Sequence, residues 1–532
     1  MKKLPLGIQS FRRIVEDNCI YVDKTEYIYN LINNASYYFL SRPRRFGKSL
    51  LLDTIREAFS GDKEMFKGLF IYDSDYSFEK HPVLLLDMSN IANETPDELK
   101  DSLSTVLKER AAEESLDVVG AVPSDIFKYL IIALFKKYNK RVVVLVDEYD
   151  KPILDRIGNV DIAEANRDVL KGFYGILKSM DPFLRLTFIT GVSKFTKTSI
   201  FSELNNLFDI TLTKKYSNIC GIVTDELEKY FGAHITYLTS LGELGDYDSI
   251  RDEILAWYDG YSWDGKTRVI NPFSLLSFFS QERFSSFWYS SGTPGFLIKL
   301  IKEKPSSFLL LKDLVISERV LDIVDIRKMS LAPLLFQTGY LSVAERRFGT
   351  PETYLLRMPN FEVREAFNLS IMAELTESEE YFTETAYRKM KDSLKTGDLQ
   401  NMLILLKSLF ASIPYQLHVN REAYYHSIFI AIMNVLGFDI NAEVQTSNGR
   451  IDAVLELEDM VYIMEFKYRY CEQDAPPETK SKLFKEALDE GLKQIQDREY
   501  YKKYVGSEKK IYQAAFAFLG RDDIGMKYCV DY

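Results

Sequence analysis

Asp452, Glu465 and Lys467 are the residues whose types and spacing point most directly to chemistry. They stand in two apolar runs, Gly449-Arg450-Ile451-Asp452-Ala453-Val454 and Ile463-Met464-Glu465-Phe466-Lys467, separated by a short turn at Glu458-Asp459. Counting outward from that turn pairs Leu457 with Met460, Glu456 with Val461, and Asp452 with Glu465. Directly opposed residues of an antiparallel pair share one face, with Cβ atoms about 5 Å apart. Glu465 and Lys467, two positions apart, share that face too. Facing carboxylates repel, and a divalent cation between them removes the repulsion; their hard oxygens suit Mg²⁺ or Mn²⁺. A lysine beside the cation can orient a water or stabilise charge on a phosphate. The competing reading is a charged edge strand facing solvent.

The surroundings favour the metal reading. Glu422, Tyr425 and His426 fall at i, i+3 and i+4, on one face of a predicted helix from about Arg421 to Leu436. Glu422 is a further candidate ligand, unless it only complements the helix dipole. Glu443, opening the strand before the hairpin, is a weaker one. The hairpin resembles the PD-(D/E)xK nuclease superfamily, with Asp452 as the first acid and Glu465-Phe466-Lys467 as the E-x-K element. That resemblance implies a glutamate helix ahead of the hairpin, a role for Glu422. It also implies a Gln or Tyr presented by the following helix, where Gln494 is the candidate and Tyr500 reads as packing.

A second constellation lies near the N-terminus. Tyr37-Tyr38-Phe39-Leu40 reads as a buried strand. Ser41-Arg42-Pro43-Arg44-Arg45-Phe46-Gly47-Lys48-Ser49 follows, and then the helical Leu50-Leu51-Leu52-Asp53. Strand, turn, G-K-S and helix form the phosphate-loop context. Gly47 lets the backbone approach phosphates, Lys48 reaches them, Ser49 can hold Mg²⁺, and the helix N-terminus adds amide donors. Arg45, in the same turn, is counted with the nucleotide-binding residues. One departure stands out: the first glycine of the pattern is Arg42, followed by Pro43, which lacks an amide donor. Arginine also disfavours left-handed backbone angles.

About 100 residues later, Arg141-Val142-Val143-Val144-Leu145-Val146 ends in Asp147-Glu148. A continuous apolar run suits a central parallel strand covered on both faces, and ligands bind beyond the carboxyl ends of such strands. Asp147 is placed to hold Mg²⁺ and Glu148 to polarise a water. Val83–Asp87 and Leu184–Thr190 read as flanking strands. Thr190 or Ser193 could sense a terminal phosphate, although strand-end hydroxyls often cap the next helix.

These motifs stand together with Tyr21-Val22-Asp23-Lys24-Thr25, Val146-Asp147-Glu148-Tyr149-Asp150-Lys151-Pro152 and Leu204-Asn205-Asn206-Leu207. Taken together, the chain resembles the bacterial AAA-ATPase-like family, whose members join such a domain to a C-terminal PD-(D/E)xK nuclease-like domain. The altered first glycine is a trait of that family. The fold class implied is α/β: an AAA-like P-loop parallel sheet with a helical lid, plus a C-terminal restriction-endonuclease-like α/β domain. The expected domains are a nucleotide domain at 1–215, a helical lid at 216–300, a connector at 301–415 and the nuclease-like domain at 416–532. A winged-helix fragment is one reading of Ser330–Leu341. Aromatics in the lid, around Trp257–Trp263 and Phe287-Trp288-Tyr289, could stack on a base, but at their spacing they read as core.

Composition sets bounds on these readings. A chain of 532 residues exceeds a single core. No stretch approaches the roughly 20 apolar residues of a membrane span, and the first residues lack the apolar core of a signal peptide. Four scattered cysteines and the absence of Cys-x-x-Cys argue for a reducing, cytoplasmic setting and against zinc. The net charge of −11 is awkward for nucleic-acid binding. A local patch would be needed, with Lys480, Lys482, Lys485, Lys502, Lys503, Lys509 and Lys510 as candidates. The expected function is an ATP-binding, Mg²⁺-dependent nuclease acting on DNA or RNA under nucleotide control. Defence or mobile-element biology is suggested by analogy. The alternative is a nucleotide switch that binds partners without cleaving. The oligomeric state is not read from one sequence; Arg42 and Arg185 are the arginines considered for an inter-subunit finger.

Overall fold

The computed structural model describes the chain except residues 195–199, 202–203, 205, 289–313, 322–330, 368–379, 412–428, 430–432, 434–437, 439, 447–448, 473–474, 507, 521–522 and 532, and gives backbone alone for 319, 380–384, 387, 409, 411, 441–446, 449–450 and 531. The chain divides into two compact units, one within residues 1–296 and 311–363, the other taking in 364–532.

The first unit is built on a parallel sheet. Its strands are β1 (Tyr37–Ser41), β2 (Val83–Asp87), β3 (Val142–Asp147), β4 (Leu184–Gly191) and β5 (Phe208–Asp209), in the order β2-β3-β4-β1-β5. Every residue of β1 and β3 is buried, as expected of strands covered on both faces. Long helices such as Pro96–Glu113, Pro123–Tyr138 and Val160–Ser179 connect the strands. Each carries its apolar residues at three- and four-residue intervals: Leu99, Leu103, Leu107 and Ala111 on the first of them are buried. The carboxyl ends of β1, β3 and β4 lie side by side, through Ser41 with Gly191 and Val146 with Ile189. That edge therefore collects the turn after β1, the acids after β3 and the hydroxyls after β4.

Helices Thr224–Leu241, Tyr247–Tyr258 and Pro272–Gln281 follow and share a core of Phe231, Ile254, Tyr258, Leu275 and Phe278. The described part of the aromatic stretch is largely core, as its spacing implied: Tyr258, Tyr261, Trp263, Phe287 and Trp288 are buried and Trp257 half-buried, while Tyr289 lies outside the described residues. In the same unit, β6 (Leu314–Ser317), β7 (Ser342–Arg347) and β8 (Thr353–Arg357) form a small antiparallel sheet in the order β6-β8-β7. The helix Leu331–Thr338 precedes β7.

The second unit holds a five-stranded mixed sheet. It consists of β9 (Ile440–Thr446), β10 (Gly449–Glu456), β11 (Met460–Arg469), β12 (Lys510–Leu519) and β13 (Asp523–Asp531), in the order β13-β12-β11-β10-β9. β11 and β12 are parallel and the other neighbours antiparallel. A parallel pair needs a crossover, supplied by the helix Pro477–Asp497, which starts on proline and buries Ala487, Gly491, Leu492 and Ile495. Tyr462, Met464 and Phe466 of β11 pack on one side with Phe429, Phe516 and Phe518. Val461 and Ile463 face the other side, with Leu492, Ile495 and Tyr500. No helix among the described residues is long and apolar enough to cross a membrane.

Candidate functional site

The hairpin register is the one counted from the sequence. Glu456 opposes Val461 and Ala453 opposes Met464, and the Leu457 N–H donates to the Met460 carbonyl. One step further, Asp452 leaves the ladder: its Oδ2 accepts the Phe466 N–H at 2.9 Å. On the other side of β10, the pairs Ile451/Val444 and Ala453/Ala442 bracket Glu443 opposite Asp452. Glu443 is placed by register alone. Glu422, Tyr425 and His426 lie outside the described residues.

Glu465 is 1% exposed and Lys467 8%. Glu465 Oε1 accepts from Lys467 Nζ at 3.2 Å and from Gln494 Nε2, while Lys467 Nζ also donates to Gln494 Oε1 at 2.9 Å. Asp452, Glu465, Lys467 and Gln494 therefore come together. Glycine makes the meeting possible: a Cβ at Gly491 would stand 2.8 Å from Ala515 Cβ. Only a bare backbone lets the crossover helix lie this close to the sheet, and Gln494 follows one turn later. Tyr500 is buried beside this group and, beyond packing, its hydroxyl hydrogen-bonds the Gln494 side chain.

The electrostatics are those of a site under strain. Burial, joined by the facing Asp452, pushes the Glu465 carboxyl up to about 7, against the pull of Lys467. Glu465 Oε2 is buried without a hydrogen-bond partner. An orphan carboxylate oxygen in a dry setting is costly, and a divalent cation shared with Asp452 would satisfy it. Two carboxylates fit Mg²⁺, which takes one or two protein oxygens and completes its shell with water and phosphate. Among the described residues, no group of three His, Cys, Asp or Glu gathers to hold a metal.

At the parallel sheet, Gly47 starts the helix Lys48–Ala58 with φ of +87°. Arg45 also has positive φ, +68°. The left-handed backbone anticipated at position 42 thus falls on Arg45, whose guanidinium lies 4.5 Å over the Phe273 ring. Lys48 is buried and donates to the Arg42 and Pro43 carbonyls, both at 2.9 Å. Asp147 gathers the other candidates: Oδ2 accepts from Ser49 Oγ at 2.5 Å, and Oδ1 from Thr190 Oγ1 at 2.7 Å and the Glu148 N–H at 3.0 Å. Glu148 takes a positive φ of 49° just beyond β3. Ser193 is buried too, but its N–H goes to Asp150 rather than to this cluster.

Sequence reasoning overlooked Asp150. Its carboxylate is 1% exposed and accepts from Val192 N and Ser193 N. Burial raises it to about 6, against those two amides and Lys48. It ties the loop after β3 to the loop after β4; the only signal was its place in Asp147-Glu148-Tyr149-Asp150. An apolar cleft opens beside Gly47, lined by Ile20, Tyr21, Lys24, Leu50, Ile222 and Phe231. Lys24 is held at its edge by Glu226 at 2.7 Å.

Arg42 is not an inter-subunit finger. It is fully buried; its guanidinium donates to the Ser41, Thr211 and Tyr216 carbonyls and lies 3.9 Å over the Trp263 ring. The missing glycine has become a structural anchor. Arg42→Gly, which restores the familiar pattern, is expected to destabilise the fold by roughly 2–5 kcal/mol by orphaning those carbonyls. A thermal unfolding midpoint equal to that of the wild type would contradict this. Arg185 is also turned inward, donating to the Ile32 carbonyl at 3.1 Å.

The candidate basic patch is largely paired with acids: Lys480 with Asp523 (3.1 Å), Lys482 with Glu486 (4.0 Å), Lys502 with Glu499 (2.8 Å) and Lys509 with Glu456 (3.9 Å).

Two family models match the chain: "Predicted AAA-ATPase" over residues 5–201 and "PD-(D/E)XK nuclease superfamily" over residues 420–527. A protein from Azotobacter chroococcum mcd 1, described as an uncharacterized protein in the vnfD 5′ region, is 37% identical over 477 residues, 88% of this chain and 89% of its own. Among solved structures, the Aeropyrum pernix ORC2 protein in ADPNP-ADP complexes is 14% identical with a TM-score of 0.27, covering 68% of this chain and 98% of its own. Drosophila ORC bound to GC-rich DNA and Cdc6 is 13% identical with a TM-score of 0.21, over 57% of this chain and 43% of the matched one.

Proposed function

The chain belongs to the family of predicted AAA-ATPases that carry a C-terminal PD-(D/E)XK nuclease superfamily domain, and on that premise we propose that it is an ATP-binding, metal-dependent nuclease whose phosphodiester hydrolysis is governed by nucleotide occupancy. The observation that carries this reading is the buried Glu465 carboxylate, facing Asp452 with one oxygen unpartnered and the other tied to Lys467 and Gln494. Asp452 and Glu465 would hold Mg²⁺ or Mn²⁺, with Glu422 as a further ligand. When bound, the cation supplies Lewis acidity and lowers the pKa of a coordinated water. Lys467 stabilises charge on the phosphate, and Gln494 keeps its ammonium turned toward the carboxylates. DNA or RNA is the substrate class, and exposed Lys–acid pairs of the kind seen here cost little to exchange for phosphate contacts.

In the nucleotide domain, Lys48, Arg45 and the amides after Gly47 would bind the phosphates, and Ser49 and Asp147 would bind the accompanying Mg²⁺. Glu148 orients a water, Thr190 reports the terminal phosphate through Asp147, and the apolar cleft beside Gly47 takes the nucleoside. Lys48→Ala is expected to weaken ATP binding by about 10–100-fold, the worth of a charged hydrogen-bonding group. Equal affinities by equilibrium titration would remove Lys48 from the site.

The discriminating experiment incubates the full chain with DNA and RNA, with Mg²⁺ or Mn²⁺, with and without ATP. Cation-dependent cleavage that changes with ATP supports the reading. Cleavage indifferent to ATP leaves a nuclease without the control. ATP binding with no cleavage of either nucleic acid leaves a non-cleaving switch. A role in defence or mobile-element biology is an analogy from domain architecture.

A further inference from the structure

We infer that Trp288 and Glu362 are positioning residues of the nucleotide site, setting the backbone of the Arg42–Phe46 turn through a hydrogen bond to the Arg44 carbonyl. The inference rests on the phosphate-binding role proposed for that turn.

A phosphate loop built on glycines needs few outside contacts. This turn carries Arg-Pro-Arg-Arg-Phe, and each of those residues is held from later in the first unit. Arg42 lies over Trp263. Pro43 packs on Gly339, where an added Cβ would come within 2.8 Å of the proline ring. The Arg44 carbonyl accepts from Trp288 Nε1 at 3.1 Å. Arg45 stacks on Phe273, and Phe46 meets the rings of Tyr261 and Trp263 at 4.7 and 5.5 Å.

Glu362 joins two of these contacts. It is wholly buried; Oε1 accepts the Trp288 N–H at 2.6 Å and Oε2 accepts from Ser274 Oγ at 2.8 Å. Trp288 is the residue bonded to Arg44, and Ser274 adjoins Phe273, the ring under Arg45. One carboxylate thus anchors both supports of the turn. Burying it is costly: desolvation pushes it up to about 7, against hydrogen bonds from Trp288, Ser274 and Phe287. Neither of the sites described above uses it, and apolar packing would be cheaper if filling space were its only task.

Trp288 also packs its ring on Tyr340 at 5.3 Å. Three residues earlier, Gln337 accepts the Lys194 N–H at 2.9 Å, just after β4. The segment 337–340 therefore touches both the phosphate turn and the β4 end, the two places where a bound nucleotide acts.

The test uses the full chain with Trp288→Phe, which keeps an aromatic ring and removes the N–H, and Glu362→Gln, which keeps the shape and removes the charge. Each is measured for ATP affinity and for amide hydrogen exchange. The expected result for Trp288→Phe is ATP binding weakened by about 10-fold, the worth of one buried hydrogen bond. Exchange should be faster at residues 44–49 and unchanged in β3 and β4. Glu362→Gln should show a smaller change at the same residues. Exchange at 44–49 unchanged in both variants, or accelerated equally throughout the sheet, would overturn the inference, the second result marking a merely structural role. A wild-type chain that binds no ATP would overturn it together with the nucleotide reading. Wild-type binding with unaltered variants overturns the positioning role alone.

Discussion

Lys467→Ala is expected to lower cation-dependent phosphodiester hydrolysis by about 10²–10³-fold, the effect of removing one preorganised electrostatic donor from a dry site. The folded chain should still take up Mn²⁺ at Asp452 and Glu465. The separation follows from the geometry. Lys467 Nζ lies 3.2 Å from Glu465 Oε1 and 2.9 Å from Gln494 Oε1, so in the proposed site it would compete with a cation for the carboxylate while supplying charge to a bound phosphate. Removing it should cost catalysis while leaving both acids in place. Asp452→Asn should behave differently. The amide oxygen can still accept the Phe466 N–H that Asp452 Oδ2 accepts at 2.9 Å, so the strand ends stay joined. With one of the two carboxylates gone, however, Mn²⁺ uptake and cleavage should fall together. Gel-based cleavage paired with Mn²⁺ binding by electron paramagnetic resonance reads both quantities. Wild-type rates in Lys467→Ala, or wild-type Mn²⁺ uptake in Asp452→Asn, would sink the assignment of roles.

What the sequence made legible follows from the range of the forces involved. The parallel sheet was visible because β1 and β3 are uninterrupted apolar runs, and burial on both faces is a local compositional signal. The hairpin register was visible because a tight turn at Glu458-Asp459 fixes the pairing outward from it, and so sets Ala453 opposite Met464. Arg42 could be seen to break a pattern but not why. Apart from the adjacent Ser41 carbonyl, its partners are Thr211, Tyr216 and Trp263, all at least 169 positions away, and no local periodicity encodes them. Gln494 could be placed on a helix, yet its reach depends on Gly491 sitting against Ala515, a contact between a helix and a strand that follows it. Glu362 gave no signal at all: a single glutamate in a mixed stretch is ordinary until the fold closes it against Ser274 and Trp288.

Glu465→Gln is expected to flatten the pH dependence of stability and to abolish stabilisation by divalent cations. The folded state holds the Glu465 proton more tightly than the unfolded chain, its carboxyl being raised from 4.5 to about 7 by burial and by Asp452. Between those values the native state binds more protons, so stability falls as pH rises. The penalty is absent below 4.5 and complete above 7, where it is worth about 3 kcal/mol. A cation at the pair displaces the proton and neutralises the repulsion, so it should raise the unfolding midpoint strongly at pH 8 and little at pH 5. Asp150 and Glu362 are buried carboxyls raised in the same direction, and they tilt the wild-type curve the same way. The informative quantity is therefore the difference between wild type and Glu465→Gln at each pH. That difference should favour the variant at pH 8 without cation, vanish near pH 4.5, and reverse at pH 8 when Mg²⁺ or Mn²⁺ is added. Parallel curves with and without the cation would show that Glu465 neither carries the strained charge nor binds the metal.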